Sequence, residues 1–122
     1  MITDTASPSY RTLGAIIRHA TGLSAVRKDD LEFGDLVLVT TANSTYSIYV
    51  LDEGFYSISG GWFDRHGLSP MTTTIAGCSW GGSTIKLDII AACGLHLEFG
   101  NQVVTSGIRK VGVIRCEEKR SN

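Results

Sequence analysis

The chain has 122 residues, 43% hydrophobic and 19% charged, which is enough for one domain around one core and too little for two. Eleven Lys and Arg against twelve Asp and Glu leave a formal charge of -1, so the basic excess that binds polyanions through counterion release is missing and nucleic acid is a disfavoured partner. Fourteen glycines with only two prolines exclude a Pro-rich disordered chain and point to a turn-rich globular fold.

Residues 1–7 precede the first predicted element and lack the basic start and apolar run of a secretory leader. Ser7-Pro8 then reads as a helix N-cap with proline at the first helical position. Tyr10, Leu13, Ile16, Ile17 and Ala20 follow at three- and four-residue spacing, and Gly22 supplies a stop. One helix is predicted over about Pro8 to Thr21. It is too short to stand without a surface to pack on. The charged stretch from Ser24 to Asp35 is expected to be a solvated connector.

From Leu36 the period changes to two. Leu36–Thr41 and Tyr46–Leu51 are rich in β-branched and aromatic residues around the turn Ala42-Asn43-Ser44-Thr45, and are predicted to form a central hairpin. Asp52-Glu53-Gly54 turns the chain into a strand over Phe55–Ser59, and a polar loop is expected from Gly60 to Pro70. Further strands are predicted at Thr72–Ser79, Ser83–Ile90, Leu95–Phe99, Val103–Thr105 and Ile108–Arg115, closing with a charged tail over 117–122.

For Ser83–Ile90 against Leu95–Phe99, one antiparallel register puts Ile85, Leu87 and Ile89 opposite Phe99, Leu97 and Leu95 on one face. It also sets Lys86 across from Glu98 and Asp88 across from His96 on the other. With Gly81-Gly82 as a two-residue loop, Cys78 falls opposite Ile85. The expected fold is therefore mainly β: a single domain of about eight short antiparallel strands over residues 36–115. They form a small, partly open barrel or a two-layer sandwich, with the N-terminal helix covering an end or an edge.

Chemistry-bearing patterns are few. Gly77-Cys78-Ser79-Trp80-Gly81 fits the G-x-S-x-G nucleophile pattern, with Asp88 and His96 following in hydrolase order. A nucleophile elbow, however, needs a strand-to-helix turn in a parallel sheet, and the expected setting is an antiparallel hairpin. Cys78, Cys93 and Cys116 are odd in number and far apart, without disulfide or zinc spacing, so no metal or other cofactor is expected. The least ordinary segment is Trp62-Phe63-Asp64-Arg65-His66. It sets two large aromatics beside Asp, Arg and His, a composition suited either to an interface or to a lid over the core. Trp80, beside Gly81-Gly82, poses the same choice, and the two tryptophans would flank an apolar site if their loops lay at one end of the barrel.

These readings converge on a non-enzymatic, cytoplasmic binding module that pairs with a protein partner or with itself, most simply as a two-fold dimer, and that has no membrane span. Two alternatives follow from the same residues. One is a small single-stranded nucleic-acid-binding barrel using Tyr46 and Tyr49 as stacking platforms, and the other a small hydrolase using Ser79 or His66.

Overall fold

The computed structural model describes residues 17–80 and 85–116. The chain is mainly β, and nine of its strands form one antiparallel sheet curled into a half-barrel. In chain order the strands are β1 (Ile17–Leu23), β2 (Ala25–Arg27), β3 (Leu36–Thr41), β4 (Thr45–Val50), β5 (Tyr56–Gly60), β6 (Met71–Thr73), β7 (Ile75–Ser79), β8 (Ile85–Lys86), β9 (Ile89–Ala92), β10 (His96–Phe99) and β11 (Val104–Cys116). One short helix, α1 (Gly61–Arg65), joins β5 to β6. The sheet order is β6-β5-β4-β3-β11-β10-β7-β8, with β1 also on β11, while β2 and β9 make a separate two-stranded ribbon.

The β3–β4–β5 meander follows directly from the alternation in the sequence. Val37, Val39, Tyr46, Ile48, Val50, Tyr56 and Ile58 are buried on the inner face, and Leu38, Ser47 and Ser59 lie between them on the outer one. β6 and β7 are two halves of one extended stretch that changes partner at Thr74, the first half pairing with β5 and the second with β10. This draws the two flanks of the half-barrel together at one end. Gly100 sits so close to Thr74 there that a Cβ would lie 1.9 Å from its Oγ1. Tyr46, Phe63 and Phe99 fill that end with mutual ring contacts between 5.0 and 6.3 Å. Along the half-barrel the β2–β9 ribbon packs against β7, β10 and β11, buries Val26, Ile90 and Ala91, and is tied down by Lys28, whose Nζ donates to the Ile75 carbonyl at 2.7 Å.

Several expectations need correction. Residues 8–16 of the predicted helix lie outside the described residues, as does the tail over 117–122, but 17–21 are in strand β1. The apolar spacing of Ile17 and Ala20 gives way to pairing with β11, where Ile17 opposes Cys116 and Ala20 opposes Val113. Ser24–Asp35 is not simply a solvated connector, because it contains β2 and a 3-10 turn at Lys28–Asp30 and ends in a fully buried Asp35. That carboxylate accepts from Arg115 at 3.0 Å, from the Glu32 backbone N–H at 2.9 Å and from the Cys116 N–H at 3.3 Å, so its charge is compensated where the 3-10 turn meets the end of β11. The two predicted C-terminal strands are one, β11.

The Ser83–Ile90 strand does not form as one piece. Its end turns away as β9 to pair with β2, and β10 pairs instead with β7 and β11. Leu87 is consequently exposed, Asp88 bridges Arg27 at 2.9 Å rather than facing His96, and Lys86 lies over the Trp80 ring rather than facing Glu98. Ser79, not Cys78, opposes Ile85, a slip of one residue from the two-residue-loop register.

The expected loop from Gly60 to Pro70 contains α1, and its approach explains the glycine pair. Gly60 has φ of +100, and a Cβ there would lie 2.2 Å from the Thr45 carbonyl oxygen. Gly60→Ala should therefore cost about 3 kcal/mol or more, visible as a lower midpoint in urea unfolding, whereas Gly54→Ala, with open space around its Cβ, should cost about 1 kcal/mol from backbone strain alone.

Candidate functional site

Trp62, Phe63, Asp64 and Arg65 all lie on the single turn of α1, which His66 closes. A five-residue helix gains little from propensity, so side chains must hold it. Asp64 does most of this. Its Oδ1 accepts from the Gly60 N–H at 3.0 Å and from the Ser69 hydroxyl, and these two bonds, Ser69 first, hold its carboxyl below the ordinary carboxylate range. The Tyr46 hydroxyl accepts from the Trp62 N–H at 3.2 Å, and Arg65 donates to the Ser44 hydroxyl at 3.0 Å.

Within this turn the residues divide. Phe63 is wholly buried and plugs the narrow end of the half-barrel, which is the lid role. Trp62 is half-buried, edge-on to Phe63 at 5.3 Å and stacked on the exposed His66 ring at 4.2 Å, and His66 Nδ1 lies 2.8 Å from the Trp62 carbonyl oxygen. The sequence context predicts a more exposed Trp62, but helical geometry turns its ring onto its neighbours.

Trp80 lies elsewhere. Trp62 reaches, through Phe63, the Phe99–Ile75 rung where β7 begins, whereas Trp80 follows Ser79 where β7 ends, about 16 Å further along an extended strand. The two tryptophans therefore do not flank one site. Trp80 is 54% exposed, with the Lys86 ammonium 5.2 Å from its ring centroid, and Leu87 beyond it is 66% exposed.

A second polar group sits on β7 and β10. Ser79 opposes His96 and, although buried, its hydroxyl donates to the Glu98 carboxylate on the same face; His96 Nδ1 lies 2.9 Å from the Thr105 carbonyl oxygen. The hydroxyl thus meets an acid rather than an imidazole, and Asp88, the acid of the supposed hydrolase order, is engaged with Arg27. The strand ends around this row are joined by a hydroxyl cluster that sequence reading missed. Thr41 Oγ1 accepts from the Ser44 and Asn43 N–H groups and from Ser106, while Thr105 Oγ1 accepts from the Leu97 N–H. The signal available was Thr41-Ala42-Asn43-Ser44, a turn whose polar residues bond their own backbone.

Tyr46 and Tyr49 do not form a stacking platform, because they lie on opposite faces of β4, Tyr46 buried and Tyr49 exposed. Among the described residues no group of three or more His, Cys, Asp or Glu is placed to hold a metal ion, and no helix is long and apolar enough to cross a membrane. No protein-family model matches the sequence, and no curated protein and no solved structure matches it.

Burial pushes the Cys78 thiol up to about 11, so its neutral form is favoured by the fold; the gain is complete below the ordinary value of 9.0 and lost as pH rises through 11. Cys93, by contrast, is exposed. Ellman's reagent at pH 8 is expected to label Cys93 within minutes and Cys78 only after unfolding, as read by mass spectrometry of tryptic peptides. Trp62→Ala should lower stability by about 2 kcal/mol in thermal unfolding, less than the ~3–5 kcal/mol of a fully buried aromatic, because the residue is only partly buried against the core.

Proposed function

We propose that this domain works by binding rather than by catalysis, and that its simplest partner is a second copy of itself, paired across a two-fold axis in the cytoplasm. The observation that carries the reading is the surface at the β8 end of the sheet. There Trp80 and Leu87, 54% and 66% exposed, flank the outermost strand, whose outer edge has no partner strand among the described residues. A large aromatic with a flanking aliphatic beside an open strand edge suits an isologous contact, in which each copy covers the other's apolar pair. A formal charge of -1 opposes such pairing weakly.

The groups with acid–base or nucleophilic potential lend support from the other side. Ser79 is held by Glu98, Asp64 by Gly60 and Ser69, and the His66 and His96 rings by backbone carbonyls, so each has a structural use. The hydrolase reading has less support for this reason, and the nucleic-acid reading because Tyr46 and Tyr49 lie on different faces.

Sedimentation equilibrium tests the proposal. The wild-type chain should run above its 13.1 kDa monomer mass at micromolar concentration, and Trp80→Ala should weaken association by about 30-fold, or ~2 kcal/mol, with an unchanged thermal midpoint. A 13.1 kDa particle at high concentration would overturn it.

A further inference from the structure

Residues 61–70 leave the sheet after Gly60 and rejoin it at Met71, and the two ends are neighbours because β5 and β6 pair, with Ile58 opposite Met71. A surface loop with adjoining ends can move without disturbing the strands that carry it, provided its backbone is bonded to itself. That condition holds here. The His66 N–H donates to the Trp62 carbonyl, the Gly67 N–H to that of Asp64 and the Leu68 N–H to that of Phe63, at 2.8 to 3.1 Å, and none of these bonds reaches a strand. The ring contacts divide in the same way. Trp62 is edge-on to Phe63 and stacked on His66, so both of its ring contacts stay within the loop. Across the boundary run the Phe63 contacts to Tyr46 and Phe99, the Trp62 N–H bond to the Tyr46 hydroxyl and the Arg65 bond to Ser44.

We propose that residues 61–68 are a lid that opens as one unit while the sheet stays intact, baring Tyr46 and Phe99 at that end of the half-barrel. Phe63 is the only fully buried side chain of the loop. The other ties, from Asp64 to Gly60 and Ser69 and from Arg65 to Ser44, are exposed, where water replaces a lost bond at small net cost. Opening therefore sacrifices the burial of one phenylalanine, whereas unfolding the sheet sacrifices the whole core, so the lid opens far more often. The chain passes through glycines at positive φ on both sides of the turn, Gly60 and Gly61 at +100 and +45 before it and Gly67 at +67 after it, and glycine changes conformation there with the least hindrance. Asp64 is the latch, because its carboxylate ties Gly60, before the turn, to Ser69, beyond it. Once released, a five-residue helix has no stability of its own, so the turn melts as it leaves.

Amide hydrogen exchange followed by NMR at increasing, sub-denaturing urea reads this opening. The Trp62 amide, bonded across the boundary, and the His66 and Leu68 amides, bonded within the loop, should share one protection factor to within about 3-fold. That protection should be at least about 100-fold weaker than for amides paired between β3 and β11, and indifferent to urea, because a local opening exposes little surface. Ser69→Ala, which removes the partner of the latch, should weaken it by about 5-fold and leave it indifferent to urea. Ile90→Val, in the distant β2–β9 ribbon, should weaken protection in the sheet by about 5-fold and leave the three lid amides unchanged, since it destabilises the closed and open forms alike. A urea dependence of the lid amides equal to that of the sheet, or a loss of their protection in Ile90→Val, would overturn the proposal, because lid and sheet would then open together. Unequal protection of the three amides, or no response to Ser69→Ala, would overturn it in favour of a turn that frays residue by residue.

Discussion

Everything in this fold hangs on the thirteen residues of β11. A strand interior to a sheet must satisfy its backbone N–H and C=O groups on both sides, and no single neighbour here is long enough to do so. On one side β3 pairs from Ile108 to Ile114; on the other, β10 takes the stretch from Val104 to Gly107 and β1 the stretch from Val111 to Cys116. The changes of partner coincide with register shifts, near Ile108 and Lys110 against β3 and between Thr21 and Leu23 on β1. Such irregularities increase local twist and bend a sheet, so the same strand that joins the two flanks also curves them into a half-barrel. The buried Asp35–Arg115 pair then pins the end of β11 to the turn before β3.

Elements were legible where the local pattern and the final partner agreed. Leu36–Thr41 and Tyr46–Val50 form a hairpin because their alternation leaves only one face to bury and the polar turn between them bonds to itself. They were illegible where a distant strand offered something better. Ile17 and Ala20 have helical spacing, yet the exposed flank of β11 provides a run of backbone partners that the N-terminal sequence gives no sign of. The register proposed for Ser83–Phe99 satisfied every internal criterion, with apolar residues on one face and opposite charges paired on the other. It failed because β10 fits between β7 and β11, while Ile89–Ala92 pairs with β2, where Ile90, Ala91 and Ala92 are buried.

The candidate residues were found by their composition and misjudged in their geometry. Trp62 to His66 stand out because aromatic and ionisable groups are crowded into a glycine-bounded stretch, and such crowding has two causes that look alike in one dimension. Here it serves mostly to build a plug. Phe63 enters the core, Asp64 closes the turn through Ser69, and Trp62 shields the seam against His66. Trp80 and Leu87 stay exposed at the β8 end, and Leu87 became visible only once the strand expected to bury it had broken in two. The part of the hydroxyl network that Ser106 supplies was equally hidden, since it lies 65 residues from Thr41 in the sequence.

The central position of β11 also governs the order in which the protein can be made. It is the last of the described strands to leave a ribosome, and until it does, β1 and β3 lack the neighbour that fills the gap between them. The β3–β4–β5 meander can assemble early from contacts close in sequence, but it must wait with one edge open and its inner face partly bare. Closure therefore comes late among the described strands and is built on long-range contacts, and through that interval the chain is most open to pairing with the wrong strand or to capture by a chaperone.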